Sequence, residues 1–368
     1  MRPVFLDDAD LRAVLAAVPR ARIVGGAVRD ALAGIAVHDI DLATPDPPQA
    51  VMTSLRAAGL KAVPTGIAHG TVTAVAGHRG FEITTLRHDV ETDGRHAVVA
   101  FTDDWQADAA RRDFTLNAMS MSPDGTLFDY FGGADDLRAG RVRFVGEAAT
   151  RIAEDYLRIL RFFRFHARYG RGAPDAAAVA AIRAGVGGLA ILSPERVWSE
   201  LKRILAAPEP AASLALMRET GVLAAVLPEA DPAALGDLPA DPLLRLAAIY
   251  TGDIDALAER LRLSGAERET LLALRTPPAP IDDEAELRRL LADVPNAIVA
   301  GRAWLAGRGA LVPRILAMAR PVFPLRGRDL QAFADGPALG ELLREVRAWW
   351  LAGGCVADRA ACLERARG

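Results

Sequence analysis

Lysine and cysteine are nearly missing from this chain of 368 residues. Lys61 and Lys202 are the only lysines among 44 basic residues, so arginine carries almost all of the positive charge. The two cysteines, Cys355 and Cys362, are too few for a disulfide framework and poorly placed for a metal site. Both are expected to be reduced, ordinary helix residues. No apolar run approaches a membrane span, and residues 1–8 lack the apolar core of a signal peptide. The expectation is a soluble, cytoplasmic protein with no membrane partner. Neither a G-x-G-x-x-G nor a G-K-[ST] motif follows the glycine turn at Gly25, which leaves a dinucleotide fold and a P-loop unsupported. The net charge of −3 argues against wholesale coating of nucleic acid, so a nucleic-acid partner would have to use a local patch.

What the chain does contain begins with Val24-Gly25-Gly26-Ala27-Val28-Arg29-Asp30, followed by His38-Asp39-Ile40-Asp41-Leu42. The pattern reads as strand, glycine turn, helix, strand. Alternation along a strand over residues 37–42 points Asp39 and Asp41 one way and turns Ile40 and Leu42 to the core. Two neighbouring carboxylates repel each other unless a cation sits between them. Mg²⁺ favours such oxygens together with substrate phosphates. Gly25-Gly26 opens a helix whose first amides can meet a phosphate, and Arg29 lies one turn in. Alone, a D-x-D pair is most often a solvated strand end and a Gly-Gly only a tight turn. Together they point to a nucleoside triphosphate with its metals.

Two further constellations follow. One is Arg111-Arg112-Asp113-Phe114-Thr115-Leu116-Asn117-Ala118 with Phe128-Asp129-Tyr130-Phe131-Gly132-Gly133. The other is Glu154-Asp155-Tyr156-Leu157-Arg158-Ile159-Leu160-Arg161-Phe162-Phe163-Arg164. In this order, the motifs resemble those of the class II tRNA nucleotidyltransferases and the related bacterial poly(A) polymerases. The resemblance runs from about Arg22 to Arg203 and resumes near the C-terminus.

The sequence divides in the same sense. Up to about residue 145 it mixes strands, at 22–24, 37–42, 70–76 and 81–85, with helices. From 146 onward helical periodicity takes over. The expected fold class is α+β: a nucleotidyltransferase head with a small mixed sheet over 1–145, a helical neck over 146–205, a helical body over 206–276 and a helical tail over 277–368. Thr276-Pro277-Pro278-Ala279-Pro280 is the clearest linker. Ser193-Pro194 reads as an N-cap with proline in the first helical position.

The resemblance implies a role for each matching residue. Asp39 and Asp41 would be catalytic metal ligands for Mg²⁺, with Glu82 a third carboxylate and a possible base. Gly26 and Arg29 would touch the triphosphate. Arg112 would bind the nucleotide, and Asp113 would orient it or read the ribose. Asp155 and Arg158 match the pair that reads the nucleobase, and Arg161 and Arg164 match further nucleotide contacts. Glu82 could equally be an exposed strand residue, and Arg111-Arg112-Asp113 a charge cluster at a helix start. Residues 154–171 read as one helix, on which Asp155, Arg158, Arg161 and Arg164 recur every third residue. Nine arginines stand against three acids between Arg138 and Arg171. A carboxylate accepts an exocyclic amino proton and a guanidinium donates to a ring nitrogen or carbonyl. Cytosine and adenine present that edge; guanine and uracil do not.

Residues 86–101, with Arg87, Asp89, Asp93, Gly94 and Arg95, resemble the flexible loop of CCA-adding members. Residues 327–343 resemble a tail motif placed near the tRNA elbow. No H-D phosphohydrolase signature is present, so no such appended activity is expected. The implied function is addition of CCA to tRNA 3′ ends from CTP and ATP. A poly(A) polymerase, an enzyme adding only A or only CC, and an inactive tRNA-binding protein are the alternatives.

Overall fold

The computed structural model describes residues 3–93, 96–277 and 281–368. The chain forms two compact units, Met1–Pro228 and Glu229–Gly368.

The first unit is built on a seven-stranded sheet in the order β3-β4-β5-β2-β1-β8-β9. Its strands are β1 (Arg22–Val24), β2 (Asp41–Thr44), β3 (Lys61–Gly66), β4 (Thr71–Ala76), β5 (Arg79–Thr85), β8 (Met119–Met121) and β9 (Leu127–Asp129). Only β2 and β5 run parallel; the other neighbours are antiparallel. Alternation along the strands sets the two faces. Val72, Ala74, Phe81 and Ile83 are buried, against helices α1 (Ala9–Ala17) and α3 (Pro48–Ala57). Asp8 caps α1 by accepting from Leu11 N at 2.9 Å. Between β1 and β2 lies the short helix α2 (Gly26–Leu32).

Strand β2 begins at Asp41 and not at residue 37, so Asp39 precedes it. Val24 is the last partner that β1 offers, opposite Asp41. At Gly25 the chain leaves the sheet with φ +63°, and residues 37–40 have no ladder to join. Strand β3 was illegible because it contains Pro64 and a register shift between Val63 and Gly66. At a sheet edge both are tolerated. Where a polar loop was expected over 86–101, β6 (Arg87–Asp93) and β7 (His96–Phe101) form an antiparallel hairpin. Gly94 and Arg95, the tip of the expected loop, lie outside the described residues.

After the sheet come α4 (Trp105–Ala110), α5 (Gly133–Ala139), α6 (Ala148–Glu154), α7 (Leu157–Tyr169), α8 (Ala176–Gly185), α9 (Pro194–Leu205), α10 (Ala211–Glu219) and α11 (Val222–Val226). The helix expected over 154–171 is therefore interrupted. Asp155 is extended, with φ −157° and ψ 107°, and its side chain accepts from Leu157 N at 3.0 Å. An aspartate bonding its own backbone two residues on competes with helix continuation. Phenylalanines then fasten α7 to the head. Phe114 and Phe144 pack at 4.7 Å between ring centroids, Phe144 and Phe162 at 6.1 Å, and Phe114 and Phe165 at 5.2 Å. Fully burying each such ring is worth about 1.5–3 kcal/mol.

The second unit is helical: α12 (Pro242–Ile249), α13 (Ile254–Leu261), α14 (Gly265–Arg275), α15 (Glu284–Asp293), α16 (Asn296–Leu305), α17 (Val312–Ala317), α18 (Gly336–Ala352) and α19 (Arg359–Arg365). It holds one apolar cluster around Leu287, Leu291 and Ile315 and another around Leu330, Val346 and Trp350. Cys362 is buried in the second cluster. Cys355 is not in a helix; it follows α18 with φ +62°. Both cysteines are free. Residues 278–280 of the expected linker lie outside the described residues. Among the described residues no helix is long and apolar enough to cross a membrane.

Candidate active site

Gly25 places the site. Its backbone, at φ 63° and ψ −117°, is one that a side chain would strain. It turns the chain from β1 into α2, on the wall of a cleft of about 690 Å³. Gly26, Arg29, Asp39, Asp41, Arg112, Asp113, Asp155, Arg158, Arg161 and Arg164 all lie on the wall of that cleft. So do Arg111, Asn117, Phe165, Arg196 and Arg203, to which the sequence assigned no role. Eight arginines and four aspartates lie in this lining, a balance that favours an anionic ligand.

Asp39 and Asp41 lie close together in the sequence and both line the cleft. Asp39 and Asp41 are exposed, while Ile40 and Leu42 between and after them are buried. Glu82 is outside the cleft lining but stands beside Asp41 in the parallel pairing of β2 with β5. Burial raises the Asp41 carboxyl above its ordinary range, with Glu82 and Asp39 adding to the rise and Arg112 opposing it. Asp41 keeps solvent access in the cleft while its inner side is crowded by protein. Neighbouring carboxylates whose mutual repulsion raises a pKa suit a hard divalent cation. Among the described residues no three acidic, histidine or cysteine side chains form a ready-made metal cluster. A pair of carboxylates completed by substrate phosphates fits Mg²⁺, which seldom uses an all-protein cage.

The arginines are held by partners distant in sequence. Arg29 donates from Nε to Tyr169 Oη and to Asp30 Oδ1, both at 2.9 Å, and from Nη1 to Asn117 Oδ1 at 2.5 Å. Asn117 in turn donates to Asp113 Oδ1 at 2.9 Å. Asp113 is buried and receives Arg161 Nε at 2.7 Å. Its desolvation would raise the carboxyl, but Arg161, Asn117 and the Phe114 amide outweigh it and hold Asp113 below the usual carboxylate range. Arg112 and Arg111 share the buried Asp108, at 3.3 and 3.0 Å. Arg164 donates to the buried Glu200 at 2.7 Å.

Asp155 and Arg158 share the cleft without bonding each other. Asp155 uses one oxygen to cap Leu157 and the other to accept from Arg196 Nη2 at 2.7 Å. Arg158 is tied to Glu154 and to the Arg151 carbonyl, the latter at 2.8 Å. Asn117 had a signal in the sequence, its place in Arg111-Arg112-Asp113-Phe114-Thr115-Leu116-Asn117. Arg196 had none beyond its position in the first turn of α9.

Gly132 and Gly133 have separate reasons. Gly132 has φ +73°. A Cβ on Gly133 would overlap the Thr115 carbonyl, so this glycine permits close approach of two backbones. Asp129 then receives the Gly133 and Ala134 amides at 2.9 and 2.8 Å, closing the start of α5.

Known proteins resemble this chain in sequence and in fold. Residues 21–143 match the family described as the poly A polymerase head domain. Residues 174–234 match the one described as a probable RNA and SrmB-binding site of polymerase A. The mitochondrial CCA tRNA nucleotidyltransferase 1 of Danio rerio is 37% identical over 366 residues, covering 89% of this chain and 83% of that protein. Its Homo sapiens counterpart is 38% identical over 359 residues, covering 89% and 82%. Among solved structures, the Bacillus stearothermophilus CCA-adding enzyme in complex with CTP aligns with a TM-score of 0.78 at 26% identity. That alignment covers 100% of this chain and 98% of that one. With this identity over most of both lengths, and with the same fold, the chain belongs to the CCA tRNA nucleotidyltransferase family.

Proposed function

We propose that this protein adds CCA to the 3′ end of tRNA, using CTP and ATP and no nucleic-acid template. One observation carries the reading: a single cleft brings the Asp39–Asp41 carboxylates, an arginine-rich wall and the Asp155–Arg158 pair together. The relatives are CCA-adding enzymes, and one solved relative binds CTP.

In this reading the triphosphate lies against Gly26 and Arg29, and the Arg29 guanidinium is itself held by Tyr169, Asp30 and Asn117. The base extends toward Asp155 and Arg158, and Arg112, Asp113, Arg161 and Arg164 shape the space between. Asp39 and Asp41 hold Mg²⁺, with Glu82 available as a third carboxylate. When bound, the metal neutralises phosphate charge and favours ionisation of the attacking hydroxyl. The terminal 3′-oxygen bonds to the α-phosphorus, the bond from that phosphorus to the bridging oxygen breaks, and pyrophosphate leaves. Asp155 accepts the amino proton of cytosine or adenine, and Arg158 donates to the ring. An incoming guanine or uracil leaves these groups unmet, at about 1–3 kcal/mol for each. We place the head at 1–145, the neck at 146–205, the body at 206–276 and the tail at 277–368. A tRNA substrate fits the cytoplasm.

The test gives purified protein a tRNA ending in its discriminator base, with labelled CTP, ATP, GTP or UTP, singly and together. Addition of two C residues and then one A is expected. Runs of A alone would replace the reading with poly(A) polymerase activity, and incorporation of none of the four would refute nucleotidyl transfer.

A further inference from the structure

The strand register shows what shares the catalytic side of the sheet. Asp41 pairs with Glu82. Glu82 lies opposite Thr73, and Thr84 lies opposite Thr71. On the edge strand Lys61 pairs with Val75, two residues from Thr73 and therefore on the same side. Helices α1 and α3 pack on these strands, and Val72, Ala74, Phe81 and Ile83 are buried on the opposite side. Thr71, Thr73 and Thr84 are half-buried, whereas Lys61, Thr65 and Glu82 are exposed.

This face carries Val63 and Val75 beside its polar groups. Hydroxyls pair across strands, Thr71 with Thr84 at 3.1 Å and Thr65 with Thr73 at 2.8 Å. Each pair uses one proton between its members and keeps another, with spare lone pairs, for an outside partner. Among the described residues no carboxylate pairs with Lys61, one of only two lysines in the chain.

Position gives the face its meaning. Across the sheet run β1 with its glycine turn, β2 with Asp41, β5 with Glu82, β4 with its threonines and β3 with Lys61. The cleft takes its lining from Gly25, Gly26 and Arg29 on the β1 side and from none of the threonines. In phosphoryl transfer the attacking and leaving oxygens are in line, on opposite sides of phosphorus. With pyrophosphate leaving on the β1 side, the hydroxyl arrives over β5, from the side of β4 and β3. From β2 to β3 is three strand spacings, about 14 Å, room for more than one nucleotide.

We propose that the open face of β5, β4 and β3 seats the last nucleotides of the acceptor RNA. The threonine hydroxyls bond to its ribose and phosphate oxygens, and Lys61 meets a backbone phosphate upstream. The proposal deepens the nucleotidyl-transfer reading and rests on it. Hydroxyl and amine contacts to the backbone read no base. That suits a strand whose terminal base changes with each addition.

The experiment measures KM for acceptor tRNA and for CTP separately, in wild type, in the Thr71→Val/Thr73→Val double variant and in Lys61→Gln. Valine keeps the strand preference and removes only the hydroxyls. The double variant is expected to raise acceptor KM about tenfold and leave CTP KM within twofold. Lys61→Gln, at an exposed position on the edge strand, should flatten the slope of log acceptor affinity against log salt by about 0.7. Wild-type acceptor KM in the double variant together with a wild-type salt slope in Lys61→Gln overturns the seat. So does a CTP KM that rises in step with acceptor KM. Wild-type protein that incorporates nothing is a different result, since it removes the nucleotidyl-transfer reading itself.

Discussion

Asp41 is pressed by its neighbours. Burial, Glu82 and Asp39 all press its carboxyl toward the neutral form, against Arg112. In the proposed reading, alanine at Asp39 or Asp41 removes a metal ligand and also a repulsion. Single-turnover CMP incorporation should therefore fall by about a thousandfold or more, several kcal/mol of barrier. The urea unfolding midpoint should not drop. A variant that keeps a tenth of wild-type incorporation would sink the ligand assignment. Asp155 has two duties, since it caps α7 and faces the cleft. Asp155→Ala should cost about 1 kcal/mol of stability through the lost cap. Asp155→Asn keeps a capping oxygen and should cost less. Both should shift the ratio of C and A over G and U incorporation at least tenfold, as expected when the base's hydrogen-bond acceptor is lost. An unchanged ratio in both would move base reading elsewhere.

At the scale of elements, α5 and α7 are held by contacts that tolerate little change. Gly133 lets the start of α5 touch the Thr115 carbonyl. Gly133→Ala must push two backbones apart and should lower stability by about 1–3 kcal/mol. Gly187→Ala, with open space around its Cβ position, is the control and should stay near wild type in the same urea titration. His166, inside α7, is buried and its Nδ1 has no hydrogen-bond partner. Burial lowers its pKa below the usual 6.5, so the unfolded chain takes up a proton before the folded one does. Stability is then complete above about pH 6.5 and declines as pH falls from there toward the folded pKa, by at most about 1.4 kcal/mol per unit. His166→Leu should flatten that decline between pH 7 and 5. Parallel curves for variant and wild type would show that other groups set it.

For the whole molecule, net charge and local charge have opposite signs. The chain carries −3 overall, yet the cleft lining has twice as many arginines as aspartates. Long-range attraction of tRNA is therefore weak and short-range phosphate contacts dominate. Affinity should fall steeply with salt, with a slope set by the number of phosphates neutralised. Filter binding from about 50 to 200 mM salt reads this directly. A flat response would count against a phosphate-centred tRNA surface.

Much of the site was legible because its causes are local. A glycine forced to positive φ, an aspartate pair at alternating positions and an arginine one helical turn from Gly25 are all written within twenty residues. The same holds for the apolar alternation of β4 and β5, whose faces follow from side-chain direction alone. Pairing is different. Arg196 meets Asp155 across 41 positions, Arg161 meets Asp113 across 48, and Arg29 meets Tyr169 across 140. Nothing local selects those partners among 42 arginines. The start of β2 at Asp41 depended on where β1 stopped, and the break at Asp155 on one side-chain hydrogen bond that competes with the helix. The sequence by itself determined the chemistry on offer, because residue types and short spacings act within a turn or a strand. Only the tertiary structure decided which guanidinium holds which carboxylate and which face of the sheet stays open, because strand register and packing join segments that the chain order leaves far apart.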